Sequence, residues 1–563
     1  MRFFIVGAAS IALLFPHNVL AQCNEAVWHH HIHGIGGGNA AAWPNLSINP
    51  INGKLLVGAT AYNIDELSFG STTNSFIDAL GGNSSLYMGL VNPDGSSEWV
   101  QSFNNDYFLQ SEDICATADG GYFLIGAFNP NFVGQDTTIL LTPNTGNGYF
   151  MYKVDEAGEL EWIRHAPFGF SGAARAVSIG SDILVAFVFT GTFQMDAQSF
   201  QSDGPERDLL LIRFNTDGDV MWTKHINGSG SMFIEDLACF TGTCVVQGRF
   251  NETIDFDGQT LVVPSNDLRA FQFGFSNVNG EYMWKKKATT PGANGNLVSI
   301  TGAVQSTQDE FMVVGTFTTS TLEIDGLSVA NHGGSDAFIA SQRISDGELV
   351  WLKSFGGTQD DNIFGISKTN TGVALGATTK SATIDYEGFS YIHVNAGNDH
   401  PLVLLLDGDG KPLCSSSSIA VEGTANIVDM RSYDGSLYCL SGFIGQFESD
   451  GVGSTSVGTR DLVVWKTCLP CDTPNAITET TAAQPALHIY PNPASRSIRV
   501  EATDNSTQPA AITITDMLGH TALYLEPETL NVELDISSLF NGIYTLSAIM
   551  QNGETLRQRL VKQ

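Results

Sequence analysis

Four histidines stand close together near the start of the chain: His29, His30, His31 and His33. Alternate residues of a β-strand share a face, so His29, His31 and His33 would line one side of such a strand. Imidazoles grouped in that way suit zinc, copper or nickel. No acidic residue lies nearby in sequence, and helical ligand spacing is absent. A packed or exposed strand beside Gly36 to Gly38 is the simpler expectation, with His29, His31 and His33 kept as weak metal candidates. Asp407-Gly-Asp409-Gly410 and Asp217-Gly-Asp219 look like pieces of a calcium loop. A full loop needs more oxygen ligands and a distal glutamate; neither is found, so hairpin turns are expected. No Gly-x-Ser-x-Gly elbow occurs in a strand-to-helix setting. Gly34 to Gly38 lacks the strand–helix context of a phosphate-binding loop. Two carboxylates distant in the chain could still meet as a glycosidase pair. The sequence names no catalytic residue and no cofactor.

Eight cysteines are present. Cys239 and Cys244 could bridge across a hairpin. Cys468 and Cys471 could pair together, or with Cys23 and Cys439; spacing alone leaves the connectivity open. Cys468-x-x-Cys471 reads as structural, since no βαβ unit stands beside it.

The elements that would position these residues repeat. Trp99, Trp162, Trp222, Trp284 and Trp351 each follow a glycine by four positions: Gly95, Gly158, Gly218, Gly280 and Gly347. A turn-forming segment precedes each glycine. Asp407-Gly-Asp409-Gly410 is a further copy, with Cys414 where tryptophan is expected to pack better. A hairpin with glycine at positive φ in its turn explains the pattern, and the following strand carries the indole. Burying an indole removes roughly 200 Å² from water, about 5 kcal/mol before entropy. Gly126-Ala-Phe128, Gly191-Thr-Phe193, Gly248-Arg-Phe250 and Gly315-Thr-Phe317 close apolar strands. Acidic turns such as Ile254-Asp-Phe-Asp-Gly258, Leu322-Glu-Ile-Asp-Gly326 and Ile384-Asp-Tyr-Glu-Gly388 read as a second strand. Asp208-Leu-Leu-Leu-Ile212, Asp336-Ala-Phe-Ile-Ala340 and Asp461-Leu-Val-Val-Trp465 read as a third. About four strands per repeat make one propeller blade. Counted from Trp28, the aromatic positions predict an all-β fold: a β-propeller of about seven four-stranded blades. An open solenoid is the rival, disfavoured because it leaves edges exposed.

Segments around Asp336-Ala-Phe-Ile-Ala340, Asp346-Gly347 with Trp351, and Ser354-Phe-Gly-Gly357 resemble the bacterial β-propeller repeat known as SBBP. The resemblance covers roughly residues 28–467 and implies a propeller; that repeat has no single activity.

Composition agrees. The 563 residues include 59 glycines and 34 phenylalanines, and only 15% are charged. Such a mix suits short strands and tight turns. The formal charge of −33 repels phosphate backbones and anionic membranes, so nucleic acid is excluded as a partner. Arg2, the apolar stretch Phe3 to Phe15 and Val19-Leu20-Ala21 read as a signal peptide cut after Ala21. Gln22 before Cys23 speaks against a lipoprotein. No transmembrane segment is expected in the mature chain.

After Trp465 the texture changes. Asp472 to Pro485 is rich in Thr, Ala and Pro, as in a linker. A compact alternating pattern follows, suited to a small sandwich. Tyr490-Pro491-Asn492-Pro493-Ala494, Asp516-Met-Leu-Gly519, Asp535-Ile-Ser-Ser-Leu539, Asn541-Gly542-Ile-Tyr544 and Leu560-Val-Lys562 resemble the type A C-terminal sorting domain of the type IX secretion system. That resemblance implies a Bacteroidetes-type bacterium, passage through the outer membrane, and contact with the secretion machinery. The expected organisation is a signal peptide at 1–21, a propeller at 22–467, a linker at 468–486 and a small β-sandwich sorting domain at 487–563. The expected function is a secreted or surface-attached binding or scaffold protein with a glycan or protein ligand. A secreted hydrolase with its site at the central channel is the alternative.

Overall fold

A computed structural model describes residues 27–468 and 487–563, apart from 36–37, 76–83, 105–107, 130–131, 134–139, 142–146, 169–172, 204–205, 266, 289–297, 393–396, 418, 450–451, 493, 503–508, 516–520, 526, 528–530 and 551–554. The expected leader and most of the linker lie outside the described residues. Two compact units emerge, Met1–Thr473 and Pro474–Gln563. Every regular element among the described residues is a β-strand.

In the first unit seven antiparallel sheets follow one another, five of four strands and two widened to six and seven strands by added hairpins and a short strand. Their innermost strands are Asn39–Ile48, Phe108–Ala116, Ala174–Ile179, Met232–Cys239, Val298–Gln305, Asp361–Lys368 and Ile419–Tyr433, which define blades 1 to 7. Each innermost strand packs against the next, and that of blade 7 packs against that of blade 1. The sheets therefore close on themselves, and the unit is a β-propeller. In blade 4 the order from axis to rim is Met232–Cys239, Thr243–Phe250, Arg269–Ser276 and Tyr282–Lys287.

Blade 7 takes its fourth strand from the opposite end of the unit. Trp28–Ile35 pairs antiparallel with Asp461–Cys468, from Trp28↔Lys466 to Ile32↔Leu462. Trp28 thus completes the last blade rather than opening the first. The hairpin of Glu66–Phe69 and Thr72–Ser75 adds to the same strand. Joining strands from both ends of the unit in one sheet leaves no open seam in the ring.

The repeated glycines sit in the turns between third and fourth strands. Their φ values are +86° at Gly95, +85° at Gly158, +79° at Gly218, +71° at Gly280, +66° at Gly347 and +70° at Gly410. From Trp99 to Trp351 the indoles stand on the strand after each turn, as the hairpin reading expects. Each covers the turn glycine of the following blade: Trp28 on Gly95, Trp99 on Gly158, Trp162 on Gly218, Trp222 on Gly280, Trp284 on Gly347 and Trp351 on Gly410. A Cβ on any of these glycines would come within 2.4 to 3.2 Å of the ring. Four indole N–H groups donate to a carbonyl of that same turn: Trp28 to Pro93 at 3.0 Å, Trp99 to Glu156 at 3.2 Å, Trp162 to Thr216 at 2.9 Å and Trp284 to Ile344 at 2.9 Å. Glycine is thus required twice, for its φ and for the ring above it. Trp284 is fully buried, whereas the other five are half-buried, because they cap the joints between blades at the rim. Blade 7 has no such turn, since its third and fourth strands, Asp461–Cys468 and Trp28–Ile35, come from opposite ends of the unit. The indole that would cover it is missing, and Cys414, which is disulfide-bonded, stands in that position.

The acidic segments are not blade strands. They form separate hairpins between the second and third strands: Thr253–Phe256 with Gln259–Val262, Thr321–Ile324 with Leu327–Ala330, and Thr383–Tyr386 with Phe389–Ile392. Asp257-Gly258, Asp325-Gly326 and Glu387-Gly388 have positive φ at both residues, as a type I′ turn requires. Gly191-Thr-Phe193 likewise belongs to a hairpin, beyond the strand Asp182–Phe189. Strand alternation puts all second-to-third connections at one end of the propeller. These are long, spanning 63–83, 130–146, 190–207, 251–268, 318–335 and 380–399. The opposite end has only tight turns.

In the second unit Leu487–Tyr490, Ser497–Ala502 and Asn531–Asp535 form one sheet. Thr521–Leu525, Pro509–Thr515, Gly542–Met550 and Thr555–Lys562 form another. Ile498, Val500, Ile512, Ile514, Leu546 and Leu560 share the core between them, which makes a sandwich.

Candidate functional site

The axis of the propeller is built from a repeated irregularity. Register breaks between Ser111 and Asp113, Ile234 and Asp236, Ile300 and Gly302, Ile363 and Gly365, and Ile427 and Asp429. Blade 1 breaks between Ala42 and Asn45. A bulge leaves a residue outside the ladder and re-aims its side chain. The residues so released are Glu112, Glu235, Thr301, Phe364, Val428, and Trp43 with Pro44. Blade 3 keeps an unbroken ladder and has Arg175 at the equivalent point.

Neighbouring inner strands share no ladder, so side chains join them. Ser47 Oγ accepts from Ala116 N at 3.0 Å, linking blades 1 and 2. Glu112 Oε2 accepts from Ala174 N at 3.2 Å, and Asp113 Oδ2 from Ala176 N at 2.9 Å. Arg175 Nε donates to the Glu235 carbonyl at 2.9 Å. Glu235 accepts from Ile300 N and from the Ser299 hydroxyl, both at 2.8 Å. Thr301 Oγ1 donates to the Ile363 carbonyl at 2.6 Å. Ser432 N donates to Ser367 Oγ at 2.9 Å, and Leu46 N donates to Asp429 Oδ2 at 3.1 Å, which completes the circuit. Every joint between blades has such a link.

Burial pushes the Glu112 carboxyl up to about 8 and Asp113 up to about 6, against the pull of Arg175 and of the donated N–H groups. Burial also raises Asp236 and Asp429. None of these four is singled out from sequence. A signal existed: Glu112-Asp113-Ile114 and Glu235-Asp236-Leu237 recur two blades apart, and Asp429-Met430 follows the same pattern.

His29, His31 and His33 do share one face of the closing strand. The acidic partner that sequence proximity did not offer comes from the far end of the unit: His31 Nε2 lies 3.0 Å from Asp461 Oδ2. His29 Nε2 lies 2.7 Å from Ser449 Oγ, and its Nδ1 3.1 Å from Ser454 Oγ. His30, on the other face, meets the Gly95 carbonyl at 3.0 Å. Burial pushes His29 down to about 4 and also lowers His30 and His33. Buried aspartates at the start of third strands pair in the same way with His225, at 2.7 Å from Asp208, and with His332, at 2.9 Å from Asp336. The His31–Asp461 pair is therefore one instance of a structural repeat. No three His, Cys, Asp or Glu side chains among the described residues are placed to hold a metal.

The calcium-like segments are turns closed on themselves. Asp407 Oδ1 accepts from the amides of Asp409 and Lys411, and Asn215 Oδ1 from those of Asp217 and Asp219. Cys239 and Cys244 are bridged across their hairpin. Cys439 is buried on its strand. Cys23 and Cys471 lie outside the described residues.

In the second unit the residues singled out from sequence converge at one end. Asn492 Oδ1 accepts from Val561 N at 2.8 Å, Ala494 N donates to the Val561 carbonyl at 2.9 Å, and Gln563 N returns to Ala494 at 2.9 Å. Gly542 pairs with Lys562, and the Tyr544 hydroxyl donates to the Phe540 carbonyl at 2.9 Å. Tyr490 and Pro491, joined by a cis peptide, lead into this clasp, and Asn541 is exposed beside it. Pro493, Asp516 and Gly519 lie outside the described residues. The terminal strand is thus held by a segment some 70 residues earlier in the chain (Asn492 to Val561 spans 69). Residues 488–563 match the secretion system C-terminal sorting domain. The protein carries a type IX secretion sorting domain. This domain implies export to the cell surface or the extracellular space. No helix among the described residues is long and apolar enough to cross a membrane.

A comparison with curated proteins finds no match. Among solved structures, the plexin A4 extracellular region is similar at 8% identity and a TM-score of 0.38, over 94% of this chain and 62% of that one. PorZ, a surface component of the type IX secretion system of Porphyromonas gingivalis, is similar at 9% identity and a TM-score of 0.15, over 95% and 100%. The phage phi92 endosialidase is similar at 10% identity and a TM-score of 0.28, over 95% and 87%.

Proposed function

We propose that the exported protein is a non-catalytic binding or scaffold protein, which engages its target with the long-loop end of the propeller. The supporting observation is how the axial charges are used. Raised carboxyl values near an axis are what acid–base catalysis employs. Here the carboxyls so raised, Glu112, Asp113 and Asp429, each accept a backbone N–H of the adjoining blade. Those bonds tie them to holding the ring. The tight-turn end is sealed by indoles on glycines, whereas the opposite end carries hairpins and long connections. Rigid scaffolds commonly present binding residues on such loops. The test is to probe the mature protein on glycan and surface-protein arrays and against general hydrolase substrates. Binding without turnover supports the reading; turnover abolished by Glu112→Gln or Glu235→Gln refutes it.

A further inference from the structure

Six of the seven blades release a bulged residue at the axis, and the residue types differ around the ring. Blades 2, 3 and 4 contribute Glu112, Arg175 and Glu235, and blade 5 contributes Thr301. Blades 6, 7 and 1 contribute Phe364, Val428 and Trp43. Phe364 is 39% exposed between the buried Ile363 and Gly365, and Trp43 is 48% exposed. Two aromatic rings therefore meet solvent at the axial bulges, where most inner-strand apolar residues are buried.

Trp43 combines two unfavourable features. Its φ is +45°, in the left-handed region that a bulky residue avoids. Its ring is held out in water rather than packed. The conformation is fixed by its surroundings: Asn45 Nδ2 donates to the Trp43 carbonyl at 3.1 Å, and Asn39 Oδ1 accepts from Ala41 N at 2.7 Å. Tyr62 stands edge-on to the indole, with centroids 5.9 Å apart, where its strand enters a long connection. Backbone strain maintained to display an apolar ring points to a ligand.

We infer that the arc of Trp43, Tyr62 and Phe364 binds a neutral saccharide chain at the axial mouth. This rests on the binding role proposed above and names its ligand class. A pyranose has an apolar C–H face that stacks on an aromatic ring and a rim of hydroxyls. Arg175 and Thr301 stand on the facing arc, where their side chains hold the adjoining blades through the Glu235 and Ile363 carbonyls. Charge decides against acidic polymers, because a chain of formal charge −33 repels polyuronates and sulfated glycans.

The test uses the mature full-length protein. Isothermal titration with maltohexaose, cellohexaose, mannohexaose and chitohexaose is compared with hexagalacturonate. At least one neutral hexasaccharide should bind, and Trp43→Ala should weaken it at least tenfold. Phe364→Ala should weaken it independently. Trp43→Gly, which relieves the backbone strain, should fold at least as stably and bind as poorly as Trp43→Ala. Absence of binding to all four neutral chains overturns the inference, as does binding unchanged by both aromatic substitutions. If arrays show a different ligand held in spite of these substitutions, the saccharide site falls while the binding role stands. If arrays and titrations are blank throughout, both fall.

Discussion

Gly347→Ala separates the two demands that the ring makes on its turn glycines. Gly347 has φ +66°, and a Cβ there would lie 2.5 Å from Cε3 of Trp284. Gly258 is the control: its φ is +80°, and nothing lies within 4 Å of its Cβ. Alanine at Gly258 adds only the left-handed strain, about 1–2 kcal/mol. Alanine at Gly347 adds the same strain plus overpacking against a buried indole, about 1–3 kcal/mol more. The expected losses are thus about 1–2 kcal/mol and about 2–5 kcal/mol. Urea unfolding of the mature protein, followed by tryptophan fluorescence, measures both. Trp284→Ala should lose about 3–5 kcal/mol and should remove most of the extra loss in the double variant. Equal losses for Gly258→Ala and Gly347→Ala, or full additivity of Gly347→Ala with Trp284→Ala, would refute the claim that indoles lock each blade to the next.

Other perturbations have equally definite outcomes. Folding lowers the affinity of His29, His30 and His33 for protons, so the closing strand is most stable above the usual histidine range. Stability should fall as pH drops from about 6.5 towards 4, with Trp28–Ile35 the first region to lose amide protection. Glu112 behaves with the opposite sign. Its raised value makes the fold favour the protonated acid, so the protein should lose stability as pH rises from 4.5 through 8, and Glu112→Gln should flatten that loss in thermal melts. Reducing the Cys239–Cys244 bridge to two thiols releases a short loop constraint and should cost about 2 kcal/mol in urea unfolding. Asn492→Ala removes the acceptor for Val561 N; about 1 kcal/mol should be lost from the sorting domain, and less protein should reach the cell surface.

The parts of this fold that were readable from sequence are those where chemistry is constrained twice. A turn glycine needs positive φ and room for an indole, so Gly95 to Gly410 and the tryptophans keep a visible period. The sorting-domain segments were visible because Asn492, Gly542 and Tyr544 each serve one short clasp. The inner strands were hidden. Their contacts run through bulges and side chains that differ from blade to blade, such as Glu112, Thr301 and Ser367, so no shared pattern marks them. That gap let the hairpin at Ile254-Asp-Phe-Asp-Gly258 pass for a blade strand. Trp43 escaped notice for a similar reason: its importance lies in its exposure and backbone angle, which residue type does not encode.

Closure of the ring by strands from both ends of the unit is the claim on which the rest depends. Native-state hydrogen exchange of the mature protein at neutral pH tests it most directly. The amides of Trp28–Ile35 should open with nearly the same free energy as those of Asp461–Cys468, because one ladder holds both. Rapid exchange across 28–35 beside lasting protection of 461–468 would mean that the ring is not closed in this way.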